Sequence, residues 1–299
     1  KTPPKRINVH IPRQSLRLAL LNQLEGHDTV QWGHQLINFK ECDDNRIELS
    51  FQVDDKITKA KADLVVGADG IRSSVRNILI GEDTTPLQYL GCIVILGICS
   101  LENLKELDNP LLDSATVFQT VNGTERIYMM PYSDDSVMWQ FSFPIPEEEA
   151  KKLSNKGPQA LKEEAIRRMQ WHEPVPQIIA ETDASLISGY PVYDRPLLDA
   201  LLLEKSGSIT LIGVAAHPMS QFKGQGANQA LLDALSLARE ITKECSYSPQ
   251  WRKAGLRKTI LSKFESEMLT RTASKVKDSA EAVKLLHSKS VLREGSGPK

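Results

Sequence analysis

Long apolar runs are missing from this 299-residue sequence. The best of them, Leu90 to Cys99, is about half the length a membrane helix needs, so no membrane span is expected. Excess charge is missing as well: 37 Lys and Arg stand against 38 Asp and Glu, a net charge of −1. Nothing therefore draws the whole molecule toward nucleic acid or an anionic surface. Cysteines are few, and Cys42, Cys92, Cys99 and Cys245 show neither metal-ligand nor redox spacing. They fit a reducing compartment, and a cytoplasmic location is expected. The histidines His10, His27, His34, His172, His217 and His287 are scattered without ligand spacing, so no metal site is expected. No nucleophile triad suggests itself, and the catalytic residue is left unknown. The Gly-x-Gly-x-x-Gly fingerprint of dinucleotide-binding folds is also missing. Behind the charged start Lys1–Arg6 there is no apolar core, so no signal peptide is expected.

What is present is the make-up of an ordinary globular protein, 40% hydrophobic and 25% charged, with room for one large domain or two. Ile7 to Ile11 reads as a strand. Pro12 to Ser15 opens a helix with Leu16, Ala19, Leu20 and Leu24 on one face, ended by Gly26. Gln35 to Glu41 and Arg46 to Val53 alternate like strands, with Asp43-Asp44-Asn45 as the turn between them. Ala62 to Ala68 is short, apolar and ends near Gly67, the pattern of a buried parallel strand. Asp69-Gly70 then leads into a helix with Ser73 or Ser74 available as its cap.

Tyr89 to Ser100 reads as a long strand. Ala115 to Val121, Glu125 to Met130 and Val137 to Phe143 follow as an antiparallel set, with turns at Asn122-Gly123 and Ser133-Asp134-Asp135. Alternation puts Val137, Trp139, Phe141 and Phe143 on one face, and Met138, Gln140 and Ser142 on the other. One face should pack on helices and the other is free to roof a cavity. Residues 147–181 are helical with breaks at Gly157-Pro158, Pro174 and Pro176, and Leu186 to Tyr193 returns as a strand. From Pro249 a charge-rich helical stretch begins. Its sparse apolar positions Ile260, Leu261, Phe264 and Met268 predict a solvated helix pair lying on the body, and a loose tail from Ser290.

The chain is organised around residues 208–241. Ser208 to Ile212 is a β-branched apolar strand. A loop through Gly213, His217 and Gly224-Gln225-Gly226 follows, then a helix with Ala230, Leu231, Ala234, Leu235, Ala238 and Ile241 at helical spacing. A glycine turn running into a helix leaves the first helical N–H groups without intrahelical partners. It suits something flat and electron-rich, or anionic. His217, followed by Pro218, is read as a structural or hydrogen-bonding histidine rather than a general base.

This segment, Gly213-Val214-Ala215-Ala216-His217-Pro218 with Gly224-Gln225-Gly226, resembles the second FAD motif of the p-hydroxybenzoate hydroxylase-like flavoprotein aromatic hydroxylases. Gly67-Ala68-Asp69-Gly70-x-x-Ser73-x-x-Arg76 resembles the Asp-Gly motif of the same family. The resemblance spans most of residues 7–243. It implies an α/β fold: part of a glutathione-reductase-like FAD-binding domain with a mostly parallel sheet, an antiparallel-sheet substrate domain and C-terminal helices. The implied division is 1–88 and 189–245 for the FAD-binding domain, 89–188 for the substrate domain, and 246–299 for C-terminal helices and tail. The implied activity is an FAD- and NAD(P)H-dependent monooxygenase that hydroxylates a small, aromatic substrate through a flavin hydroperoxide.

Carried over by residue, Arg13 matches the arginine that contacts FAD. Asp69 and Gly70 support its phosphate region and are implicated in NAD(P)H binding. Gly213 and Val214 stand at the ribityl chain and Pro218 beside the isoalloxazine ring. Gly224, Gln225, Gly226 and Asn228 lie under the pyrimidine end, where a helix N-terminus stabilises negative charge on reduced flavin. Two features depart from the family. Its opening strand, Gly-x-Gly-x-x-Gly loop and helix have no counterpart here, and Val214 stands where the family has Asp. These departures motivate an alternative, a degenerate non-catalytic homologue with a structural or ligand-binding role. A nicotinamide-only dehydrogenase is disfavoured, because Gly67 to Gly70 lacks the glycine spacing.

Overall fold

The structure, a computed structural model, describes residues 10–24, 29–113, 115–247 and 254–293. The chain divides into two compact units. One takes 1–30, 91–192 and 285–299, and the other takes 31–90 and 193–284.

The first unit is built on a five-stranded sheet in the order β6-β7-β8-β5-β9. Its strands are β5 (Gln88–Ser100), β6 (Phe118–Val121), β7 (Arg126–Ser133), β8 (Ser136–Pro144) and β9 (Ile187–Asp194). Asn122-Gly123 and Asp134-Asp135 make the turns, as their sequence predicts. Val137, Trp139, Phe141 and Phe143 are buried on one face. That face meets the helices α3 (Glu147–Asn155), α4 (Pro158–Arg167) and α5 (Val175–Glu181). Trp139 Nε1 donates to Thr182 Oγ1 at 2.9 Å just beyond α5, and the Arg168 guanidinium lies 3.8 Å from the centre of the Phe143 ring. Pro174 precedes α5, but Pro176 does not break it. It sits in the first turn, where the missing N–H has no helical acceptor to lose. On the opposite face Leu96, Ile98, Tyr128, Met130, Met138 and Gln140 are half-buried.

The helix α1 (Arg13–Leu21) buries none of its residues, so its apolar face is not a core face in this structure. The strand expected over Ile7 to Ile11 falls mostly outside the described residues, and His10 and Ile11 have no strand structure. Gly26 is also outside them.

The second unit opens with an antiparallel meander, β1 (His34–Glu41), β2 (Ile47–Val53) and β3 (Lys56–Ala62). The third strand is absent from the sequence reading. Its Lys-Ile-Thr-Lys-Ala-Lys-Ala run is almost wholly exposed, so it is held by pairing with β2 and not by a buried face. Ala62 ends β3, and the short parallel strand β4 covers only Val65–Gly67. It pairs in parallel with β10 (Ile209–Leu211). Around this pair Ile47, Leu49, Val65, Val75, Leu211, Leu237, Leu261 and Phe264 form one core.

The described C-terminal part is not wholly solvated. After a π-helical turn at Arg257–Leu261, a 25-residue helix α7 (Ser262–Leu286) buries Phe264, Glu265, Met268, Thr272, Val276, Ser279, Ala282 and Val283. Residues 248–253, with Pro249, lie outside the described residues. The expected tail is a short 3-10 helix over Lys289–Leu292 as far as it is described.

Gly67 is the tightest point of this core. A Cβ there would lie 2.6 Å from Leu211 Cδ2 and 2.8 Å from Val75 Cβ. Leu211 can turn its methyl away, but Val75 Cβ is fixed to its helix. Gly67→Ala is therefore expected to destabilise the protein by about 1–3 kcal/mol through overpacking. A lower urea midpoint at unchanged slope would show it.

Candidate flavin-binding site

Because β4 and β10 are parallel, the two sequence motifs leave the same end of neighbouring strands. Gly67 pairs with Leu211, and the Ile212 N–H donates to the Gly67 carbonyl at 2.9 Å. Asp69-Gly70 and Gly213-Val214 are thus brought together by strand pairing.

After β4 the chain turns into the helix α2 (Ser74–Ile80). Asp69 shapes this turn. Its carboxylate accepts from the Ser73 hydroxyl, from Ser74 N at 2.7 Å and from Val75 N at 3.2 Å. Ser73 Oγ in turn accepts from Arg76 N at 2.9 Å, which makes Ser73 the cap of α2. Asp69 itself is exposed and Gly70 half-buried. Arg76 points the other way, into the core. Its Nε donates to Thr85 Oγ1 at 3.0 Å, and its Nη1 donates to Ala215 O at 2.7 Å and Ala216 O at 3.1 Å. Desolvation and the neighbouring Arg195 charge bring its pKa down to about 10, with Glu82 opposing, so the guanidinium is charged at neutral pH.

The loop after β10 is fixed from its other side by the helix α6 (Gly226–Tyr247). Gly213 has φ +58°, and a Cβ there would meet Ala230 Cβ at 3.0 Å. Asp233, fully buried on α6, accepts from Gly213 N at 2.8 Å and from His217 Nε2 at 2.6 Å through one oxygen. Its other oxygen accepts from Arg271 Nη2 at 2.6 Å, and Arg271 Nη1 reaches Gln229 Oε1 at 2.6 Å. A carboxylate only accepts, so Nε2 of His217 carries the proton. Its Nδ1 is buried with no partner among the described residues. Burial would raise the Asp233 carboxyl, but the hydrogen bonds from His217, Arg271 and Gly213 outweigh it and hold it below its ordinary value. His217 is thus a hydrogen-bonding histidine, as the sequence indicates.

The mouth of α6 is open. Gly224 is exposed, and a Cβ added there meets nothing within 4 Å. One added at Gly226 meets only Met219 Cγ, at 3.7 Å. Gln225 is half-buried and Asn228 exposed, so no bulky side chain closes the first turn. A 22-residue helix presents its first N–H groups here. Pro218 is buried and Val214 is half-buried. These backbone donors fit a flat, electron-rich cofactor such as FAD. Val214 does not supply the hydrogen-bond acceptor expected at its position. Arg13 opens α1 in the other unit and is exposed, and its charge opposes the burial that raises the Tyr190 phenol.

The helix α6 forms as its spacing predicts, but its apolar positions are not its buried face. Leu231, Ala234, Leu235 and Ala238 are exposed, whereas Gln229, Asp233 and Leu237 are buried. Polar residues turn inward because the loop needs an acceptor behind it. The missed residues are Asp233, Arg271 and Gln229, together with the clamping role of Arg76. One signal was available: Asp233 is the only charged residue between Lys223 and Arg239.

Residues 4–248 match the FAD binding domain family, and the chain belongs to it, among the aromatic hydroxylase-like flavoproteins. It is 29% identical over 225 residues to an aurachin C monooxygenase/isomerase of Stigmatella aurantiaca, covering 75% of this chain and 53% of that protein. It is 31% identical over 180 residues to a 3-amino-4-hydroxybenzoate 2-monooxygenase of Streptomyces cremeus, covering 60% and 41%. The chain thus spans about half the length of these curated relatives. In fold it is similar to Klebsiella pneumoniae HpxO complexed with FAD and uric acid, with TM-score 0.74 and 22% identity, over 94% of this chain and 64% of that one. No helix among the described residues is long and apolar enough to cross a membrane.

Proposed function

We propose that this chain is the flavin- and substrate-contacting part of an FAD- and NAD(P)H-dependent monooxygenase that hydroxylates a small aromatic substrate. The open N-terminus of α6, beside a backbone loop pinned by buried charges, is the observation that carries this reading. Its relatives' names support the reaction class. FAD held there would supply the redox chemistry, accepting hydride from NAD(P)H and activating O2 for oxygen transfer.

The residues of the chain bind and orient. Gly213, Val214 and Pro218 face the ribityl chain and ring. Gly224, Gln225, Gly226 and Asn228 set backbone donors toward the pyrimidine end, where they stabilise negative charge without any side chain. Asp69 and Gly70 hold the phosphate region and serve NAD(P)H, and Arg13 is a further FAD contact. In this reading the flavin role falls to 1–88 and 189–245, which hold the parallel pair β4–β10, and the substrate role to 89–188.

The first unit supports an aromatic substrate. Among the aromatic and sulfur-bearing residues of the sheet, Trp139 and Phe141 are core residues, fully buried on the helix side. Tyr128 and Met130 lie on the other face, where Tyr128 pairs with Gln140 and Met130 with Met138. With Leu96 and Ile98 they offer an apolar wall carrying one amide.

Val214 supports the second reading, a homologue that holds flavin weakly or not at all. Leaving a ribityl hydroxyl without an acceptor costs about 1–3 kcal/mol. Val214→Asp is therefore expected to tighten FAD by roughly 5- to 150-fold. Titration followed by quenching of flavin fluorescence measures it. An unchanged dissociation constant would show that residue 214 does not meet the ribityl chain.

A further inference from the structure

The loop Gly213–His217 is pinned at four points, and all of them draw on buried charge. Arg76 holds the carbonyls of Ala215 and Ala216, and Asp233 holds the Gly213 N–H and the His217 ring. Asp233 and His217 are sealed from solvent, but Arg271 is not. Its side chain is 32% exposed, against 0% for Asp233. It lines a cleft of about 370 Å³ between α6 and α7, together with Leu232, Leu235, Ser236, Arg239 and Met268. The guanidinium therefore enters from the solvent side and ends on the far oxygen of the carboxylate that holds the loop.

We propose that Arg271, acting through Asp233, is a positioning residue for the flavin-facing loop, and that its guanidinium is replaceable from the solvent-facing cleft. Arg271 hydrogen-bonds Asp233 and Gln229 on α6, and its guanidinium makes no hydrogen bond to the loop itself among the described residues. It neutralises and orients Asp233, so that one oxygen stays aimed at both Gly213 N and His217 Nε2. Without the guanidinium, Asp233 is a buried carboxylate short of a counter-charge. It then takes up a proton or turns, and either change releases at least one of its two loop donors. Gly213 depends on this hold because it occupies a left-handed conformation between β10 and the loop. The proposal rests on the flavin reading for the consequence of positioning, but the positioning itself is tested without flavin.

The experiment uses the full chain with Arg271→Ala and Arg271→Lys, with and without millimolar guanidinium, well below denaturing levels. The first readout is amide hydrogen exchange over Gly213–His217. The second is FAD affinity by fluorescence titration. In Arg271→Ala, exchange at Gly213 is expected to rise and FAD affinity to fall, each by roughly tenfold or more. Guanidinium should restore both, because the emptied cleft admits it. Arg271→Lys should lie between the two states, and the double variant Arg271→Ala with Asp233→Asn should not respond to guanidinium. A merely destabilising substitution would not be rescued by a small cation in this charge-dependent way. Unchanged loop exchange in Arg271→Ala, or rescue that persists in the double variant, overturns the proposal. A wild-type chain that binds no flavin, while Arg271→Ala still shows guanidinium rescue of loop exchange, supports the pinning and overturns the flavin reading alone.

Discussion

Asp233→Ala is expected to destabilise the protein by about 3–5 kcal/mol, the range for breaking a buried ion pair by removing one partner. The carboxylate has no exposed surface, and three donors converge on it: Gly213 N, His217 Nε2 and Arg271 Nη2. Removing it leaves a guanidinium, a ring N–H and a backbone N–H with no acceptor in place. Only Arg271, partly exposed, can recover water. The loss should be larger than for a surface ion pair such as Lys105–Glu102, where both side chains are mostly exposed and the expected change is about 0–1 kcal/mol. Urea unfolding of the two variants side by side makes the comparison. Equal effects would mean that Asp233 does not organise the loop.

Asp194→Asn is expected to act in the opposite direction and only above acidic pH. Asp194 is buried at the end of β9, and its Oδ1 has no hydrogen-bond partner among the described residues. Burial pushes its carboxyl from the ordinary 3.8 up to about 6, with the Lys284 ammonium pulling it back. Between these two values the folded protein holds a proton that the unfolded chain releases. Stability therefore falls as pH rises through that window and levels off above it. The lost stability is about 3 kcal/mol for a shift of about two units. Asparagine has nearly the same shape and no charge to desolvate, so the variant should match the wild type near about pH 4 and exceed it by up to about 3 kcal/mol near about pH 7. Melting curves across this range test it. A constant offset between the proteins would contradict the titration account.

Much of the architecture is legible in the sequence where burial and periodicity coincide. The alternation of Val137, Trp139, Phe141 and Phe143 marks a strand with one core face, and Asn122-Gly123 marks its hairpin. The Gly-Ala-Asp-Gly and Gly-Gln-Gly turns are legible because glycine occupies conformations that other residues rarely adopt. What is not legible depends on partners distant in the chain. Arg76 reaches carbonyls 139 and 140 residues away, and Arg271 reaches Asp233 across 38. In sequence, each is a charge on a helix and reads as solvated. Apolar periodicity marks α6 as a helix but does not reveal its buried face, which includes Gln229 and Asp233. The strand Lys56–Ala62 has no apolar face to detect, since backbone pairing with β2 holds it in place.

The most direct test of the central claim is titration of the purified full chain with FAD, followed by flavin absorbance and fluorescence. The α6 mouth and the pinned loop predict saturable binding of one flavin per chain, with a shifted visible spectrum and quenched emission. They also predict that Gly213→Val abolishes this, because its Cβ would meet Ala230 in a backbone conformation closed to valine. A folded chain whose spectrum is additive with that of free FAD at every ratio would contradict the account.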